Sequence, residues 1–196
     1  MARPGRSVPI GNYGFLSDGE VSALLAPNGS VDWMCVPRFD SASAFGALLG
    51  RHAGSFRIAP SDVTVPADHR YLPGTMILET SWGTATGWII VRDALLMGPW
   101  RHDRDRSRTH RRTPNDYDAE HILLRTIRCV SGEVQTTMDC EPVLDYGRSH
   151  VRWDYTDQGY HQGEATADGS DVKLKITTDM RLGFEGGQAS ARTLLK

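Results

Sequence analysis

Apolar and polar positions alternate along most of this chain, and that alternation predicts strands rather than helices. The clearest case is Glu133-Val-Gln-Thr-Thr-Met-Asp-Cys140, which alternates apolar and polar side chains as a half-buried strand does. Residues 76–82, 88–97, 122–130, 133–143, 164–167, 171–178 and 181–184 read as further strands. Between them lie turn signals: Gly83-Thr-Ala-Thr-Gly87, Ser131-Gly132, Asp168-Gly169 and Gly186-Gly187. Hairpins closed by short turns at this spacing predict an antiparallel all-β fold, a large β-sandwich rather than a βαβ unit. Residues 42–49 alone read as helix, for no more than about two turns. Residues 190–196 read as a strand with no turn after it, and no internal repeat is visible.

The sharpest local signal is Pro27-Asn28-Gly29 followed by Ser30-Val-Asp-Trp-Met-Cys-Val-Pro-Arg-Phe-Asp-Ser41. Asn-Gly suits a type I′ turn, whose two central residues need positive φ, so 21–26 and 30–36 are expected to pair as a hairpin. The second strand runs into Pro37 and a loop that keeps Trp33, Arg38, Phe39 and Asp40 close in sequence. Aromatic and charged side chains at a strand end suit a surface that contacts sugar or another domain. The competing reading is internal. Trp33 would fill the sandwich core, and Arg38 with Asp40 would form an ion pair that fixes the loop. Asp32 and Phe39 share this ambiguity. On the contact reading, some charged groups of this loop should lack partners within the chain.

Composition narrows the class. The 196 residues are 39% hydrophobic and 23% charged, with a formal net charge of −2. That balance fits a soluble globular domain and gives no global field for nucleic acid or an anionic membrane. No apolar run approaches the ~18 residues of a membrane-spanning helix, and the basic start lacks the apolar stretch of a secretory signal. Cys35, Cys129 and Cys140 show no paired metal spacing, so free thiols in a reducing cytoplasm are expected. Residues 1–9 read as a flexible N-terminus and 10–196 as one β-sandwich domain.

Little in the chain carries chemistry of its own. The segment 101–112 holds six arginines and two histidines against two aspartates. It reads either as an anion, phosphate or nucleic-acid contact, or as a solvated loop balanced by Asp116, Asp118 and Glu120. The lack of aromatic or glycine-rich framing favours the loop. The seven histidines have no metal-ligand spacing, so no metal site is expected, and neither a GxSxG elbow nor a P-loop occurs. Asp168-Gly-Ser-Asp171 reads as a turn rather than a calcium site. Arg152-Trp-Asp-Tyr155 sits amid β-patterned sequence and reads as strand. Carboxylates are plentiful, but spacing does not pair them.

Several phrases carry a resemblance: Gly11-Asn-Tyr-Gly-Phe-Leu-Ser-Asp18, Ala23-Leu-Leu-Ala-Pro-Asn-Gly-Ser-Val-Asp-Trp33 and Cys35-Val-Pro-Arg-Phe-Asp-Ser41, continued by Ser43-Ala-Phe-Gly-Ala-Leu-Leu49. They resemble the N-terminal region of bacterial glycoside hydrolase family 15, the trehalases and glucoamylases. The stretch from Arg92-Asp-Ala-Leu95 through the Arg-rich segment is similar to the mycobacterial-type trehalases. The resemblance implies a supersandwich-like β domain followed by a C-terminal α/α barrel, absent here, that carries the two catalytic glutamates. No residue of this chain maps onto them, so the chain alone is expected to be inactive and its sandwich to be cut before its last strands. The implied reaction splits trehalose into glucose by inversion, with starch-like α-glucans as the substrate of other branches. Phosphate and magnesium are implied for the whole enzyme, and no cofactor is evident in this chain.

Asp32, Trp33, Arg38, Phe39 and Asp40 are then the substrate-side or interdomain candidates. The alternatives are a stand-alone carbohydrate-binding module presenting Trp82, Trp88 or Trp100, and an interaction module that dimerises through an edge strand. The expected partners are the barrel and its sugar, with homo-oligomers left open and neither nucleic acid nor membrane.

Overall fold

The computed structural model describes residues 8–63, 65–96 and 121–196. In chain order its strands begin with β1 (Gly14–Ser17), β2 (Ser22–Leu25), β3 (Ser30–Cys35), β4 (Ser43–Phe45), β5 (Ser55–Pro60), β6 (Asp68–Tyr71), β7 (Leu78–Gly83) and β8 (Gly87–Leu96). They continue with β9 (Ile122–Gly132), β10 (Val134–Glu141), β11 (Ser149–His150), β12 (Arg152–Tyr155), β13 (Gln162–Thr166), β14 (Leu174–Thr177), β15 (Gly183–Glu185) and β16 (Gln188–Leu195). The large sheet runs β1-β2-β3-β5-β10-β16-β15, with β4 added to β3. A second sheet runs β6-β7-β8-β9 and a third β12-β13-β14. The ladders between named strands are antiparallel throughout. The all-β antiparallel sandwich is what the alternation predicts.

The strand patterns explain the layering. Along β10 the sequence VQTTMDCE buries Val134, Thr136, Met138 and Cys140 and turns the residues between them outward. β8 likewise buries Ile89, Val91, Asp93 and Leu95. These faces enclose one apolar core that includes Leu16, Val31, Ile58, Leu78, Trp82 and Met138. The strand at 190–196 has two neighbours: β16 lies between β10 and β15.

One charged side chain bolts the two larger sheets together. Arg125 of β9 pairs with Asp93 of β8 at 2.7 Å, both side chains being almost fully buried. Its Nη1 donates to the Phe56 carbonyl at 2.6 Å and its Nη2 to the Gly29 carbonyl at 2.7 Å. The guanidinium also lies 4.7 Å from the Phe56 ring centre. A buried guanidinium needs such a full set of acceptors, because an unpaired buried charge costs several kcal/mol, about 3–5 when one partner is removed.

Two local expectations are corrected. The Asn28-Gly29 hairpin closes with Ala26 donating to Ser30 O and Gly29 donating back to Ala26 O. The loop is therefore Pro27-Asn28-Gly29, with positive φ at Gly29 but not at Asn28, rather than a two-residue type I′ turn. Pro27 presets the φ of a type I turn, and Gly29 takes the left-handed place that follows. A Cβ at Gly29 would fall 2.3 Å from the Ile58 carbonyl oxygen, so close approach also requires glycine there. Residues 42–49 form no helix. Ser43–Phe45 pair with β3 as β4, buried at all three positions. Burying Phe45 against Phe56 and Met34 outweighs a weak helical pattern that Gly46 already interrupts.

Candidate functional site

The loop after β3 is closed by its own backbone. Val36 donates to Ala42 O at 3.4 Å, Arg38 N to Ser41 Oγ at 3.3 Å and Ser41 N to Arg38 O at 3.1 Å. Phe39 N reaches out of the loop to Glu20 O in the β1–β2 turn, at 2.8 Å. Arg38 and Asp40 form an ion pair at 3.1 Å. Phe39 carries its ring on the surface, 62% exposed. The five buried polar atoms without a partner among the described residues are Ser43 Oγ, Arg57 Nη2, His69 Nε2, Trp82 Nε1 and Asp93 Oδ2. None belongs to residues 36–42, whose two charged side chains, Arg38 and Asp40, pair with each other.

Asp32 and Trp33 sit beside this loop on β3, both half-buried. The Tyr13 hydroxyl donates to Asp32 Oδ2 at 3.0 Å, and the Asp32 carbonyl accepts from Leu48 N at 3.0 Å. Burial first, then the Asp32 charge and hydrogen bond, push the Tyr13 hydroxyl up to about 12. Tyr13 is thus a fixed donor to Asp32 at neutral pH. Trp33 is neither core nor free surface. It pairs across the sheet with Leu24 and holds its ring 6.3 Å from that of Tyr146.

Tyr146 is the residue that sequence reasoning missed. It lies in a single turn, α1 (Leu144–Gly147), in which Asp145 (φ 51, ψ 54) and Tyr146 (φ 57, ψ 37) are left-handed and Gly147 has φ 86. Each non-glycine residue held this way costs on the order of 1–3 kcal/mol. The turn is held by pairing of Val143 with His150 and Leu144 with Ser149, and by Arg148 N donating to Leu144 O. A Cβ at Gly147 would fall 2.7 Å from the Ala53 Cβ, so the turn is packed close against the 46–54 region. The strained backbone leaves Tyr146 42% exposed, with its hydroxyl 3.4 Å from Ser41 O of the loop. The signal was present as Asp145-Tyr146-Gly147: aspartate and glycine accept left-handed φ, whereas tyrosine does so only under constraint.

Phe39, Trp33, Tyr146 and the Arg38–Asp40 pair therefore share one rim of the sandwich. Asp32 is committed to Tyr13 and Asp40 to Arg38, an arrangement suited to contact rather than to proton transfer. Among the described residues no three His, Cys, Asp or Glu side chains group to hold a metal. A shallow cleft of about 300 Å³, lined by Ser149, His150, Arg152, Thr166 and Asp168 among others, includes none of these rim residues. Trp82 is fully buried and presents no sugar-binding face, Trp88 is partly exposed, and Trp100 and the Arg-rich segment lie outside the described residues.

Residues 3–96 match the family described as trehalase-like, N-terminal. A trehalase of Mycolicibacterium smegmatis is 59% identical over 191 residues, 95% of this chain and 28% of the relative. A trehalase of Mycobacterium tuberculosis is 55% identical over 191 residues, 96% of this chain and 28% of the relative. A trehalase of Thermoplasma volcanium is 29% identical over 138 residues, 69% of this chain and 20% of the relative. The chain thus spans little more than a quarter of the length of the two mycobacterial relatives. No solved structure matches it significantly. Among the described residues no helix is long and apolar enough to cross a membrane. The match over residues 3–96 is to the trehalase-like N-terminal family, and the mycobacterial relatives extend that likeness across nearly the whole chain.

Proposed function

We propose that this chain is the non-catalytic N-terminal domain of a cytoplasmic glycoside hydrolase family 15 enzyme that hydrolyses trehalose to glucose by inversion. In this reading the rim carrying Trp33, Arg38, Phe39, Asp40 and Tyr146 meets the C-terminal helical barrel near its active-site mouth. The observation that carries the rim's role is the left-handed turn at Asp145 and Tyr146. Backbone strain persists where the surrounding structure enforces it, and here it sets Tyr146 beside Trp33 and the 36–42 loop. That the mycobacterial relatives are trehalases supports trehalose as substrate, ahead of starch-like α-glucans. Three free cysteines fit a reducing compartment. Phosphate and magnesium, if used, belong to the whole enzyme.

The test has two arms. Purified 1–196 is expected to release no glucose from trehalose or maltotriose, and turnover by the pure chain would overturn the non-catalytic reading. In the second arm this chain replaces the matching region of the Mycolicibacterium smegmatis trehalase. There Arg38→Ala and Tyr146→Ala are each expected to lower trehalose turnover by about tenfold, because displacing a contact near an active site misaligns reacting groups. Unchanged kinetics in both variants would make the rim ordinary surface.

A further inference from the structure

A buried ionic cluster is joined to the 36–42 loop through Glu20. His121 Nδ1 is 2.7 Å from Asp18 Oδ2, and His121 Nε2 is 3.8 Å from Glu20 Oε2. The His121 and Asp18 side chains are only 8% and 1% exposed. Asp18 Oδ1 accepts the backbone N–H groups of Glu20 at 2.9 Å and Val21 at 2.7 Å. The Glu20 carbonyl in turn holds Phe39 N. Contacts thus run unbroken from His121 through the 18–20 turn to the 36–42 loop.

We propose that His121 is a proton-dependent latch: its imidazolium, held between Asp18 and Glu20, fixes the 18–20 turn and through it the 36–42 loop. The latch stands on this geometry, while its consequence for catalysis rests on the rim reading above. The protonation logic follows from the donors. Burial would raise the Asp18 carboxyl, but the Val21 amide, the His121 ring and the Glu20 amide hold it below the usual aspartate value. Asp18 is therefore a carboxylate at neutral pH, able only to accept, and His121 Nδ1 must donate to it. The other ring nitrogen then decides the state of the cluster. Protonated, Nε2–H faces the Glu20 carboxylate and attracts it. Deprotonated, Nε2 turns a lone pair toward that carboxylate and the attraction becomes repulsion. Among the described residues the charged groups facing the ring are Asp18 and Glu20, both from the β1–β2 turn. Imidazole is the side chain that ordinarily changes charge between about pH 5 and 8. The proton moves between ring and solvent, and no bond is made or broken besides N–H.

The test is backbone amide exchange of the chain at about pH 5.5 and about pH 8, on either side of the ordinary imidazole range, each rate corrected for intrinsic exchange. In the wild type, protection of the Phe39 amide is expected to fall by about tenfold at the higher pH, the loss of roughly one hydrogen bond. The amides of β10 are expected to keep their protection. His121→Gln, which still donates to Asp18 but carries no proton to lose, is expected to make Phe39 protection independent of pH. Glu20→Gln should do the same with less risk to folding, since it leaves the Asp18–His121 bond in place. The latch is overturned by pH-independent protection in the wild type, by wild-type pH dependence in Glu20→Gln, or by parallel loss across β10. Trehalose turnover in the chimaeric enzyme reads the rim separately. Loss of Phe39 protection with unchanged turnover keeps the latch and contradicts the docking reading.

Discussion

Two arginine–aspartate pairs in this domain have similar bond lengths and opposite meaning. Arg125–Asp93 spans 2.7 Å with its side chains 2% and 1% exposed. Arg38–Asp40 spans 3.1 Å with side chains 31% and 59% exposed. The first lies between sheets, where low polarity makes every missing partner expensive, and each guanidinium nitrogen has an acceptor, two carbonyls and a carboxylate in all. The second lies in water, where Coulomb attraction is screened and side-chain ordering opposes it. The buried pair therefore belongs to stability. The exposed pair is expected to cost the fold little when altered, which leaves it available to function.

The comparison breaks if the two pairs respond alike. Arg125→Ala should have the largest effect, a loss of about 3–5 kcal/mol read by urea unfolding, a large part of the ~5–15 kcal/mol that holds a domain. Changing Arg125 and Asp93 together to apolar residues of similar size should recover much of that loss, since Asp93 Oδ2 already lacks a partner. Gly147→Ala should cost about 1–3 kcal/mol, because its φ of 86 and the Ala53 Cβ both oppose a side chain. Tyr146→Gly sharpens the contrast. Relief of backbone strain offsets the lost ring contact, so unfolding should change by less than about 1 kcal/mol while turnover in the chimaeric enzyme falls.

Acid provides a milder probe. Asp18 has a folded pKa below its unfolded value, so its contribution is fully present above the unfolded value and is lost as pH falls through the folded one. Asp18→Asn should therefore flatten the acid limb of a stability-versus-pH curve. Glu79, lowered by its hydrogen bond to Arg92 and by Arg70 against the opposing effect of burial, acts in the same direction. Arg38→Ala should have the smallest effect on unfolding, under about 1 kcal/mol.

Legibility in the sequence followed the range of the interactions. Strands set by alternation, such as β8 and β10, were readable because period-two burial is a local property. Ala42 and its neighbours misled because helix propensity is weak and pairing of Met34 with Phe45 overrode it. The Asn28-Gly29 turn was placed correctly, but its type was decided by Pro27 and by the Ile58 carbonyl across the sheet. Arg38 and Asp40, two residues apart, were foreseeable as a pair. Trp33 with Tyr146, and Asp18 with His121 at a separation of 103 positions, were not. Those contacts depend on how distant strands stack, which no spacing rule encodes.

The central claim is that the Trp33–Tyr146 rim is covered when the domain is part of a whole enzyme. Amide exchange compared between the isolated chain and the chimaeric Mycolicibacterium smegmatis trehalase tests it most directly. Residues 36–42 and 145–148 should gain protection in the enzyme, while the exposed positions of β8 and β9, Trp88 and Leu124 among them, should not. Protection confined to β8 and β9, or no gain at the rim, would contradict the claim.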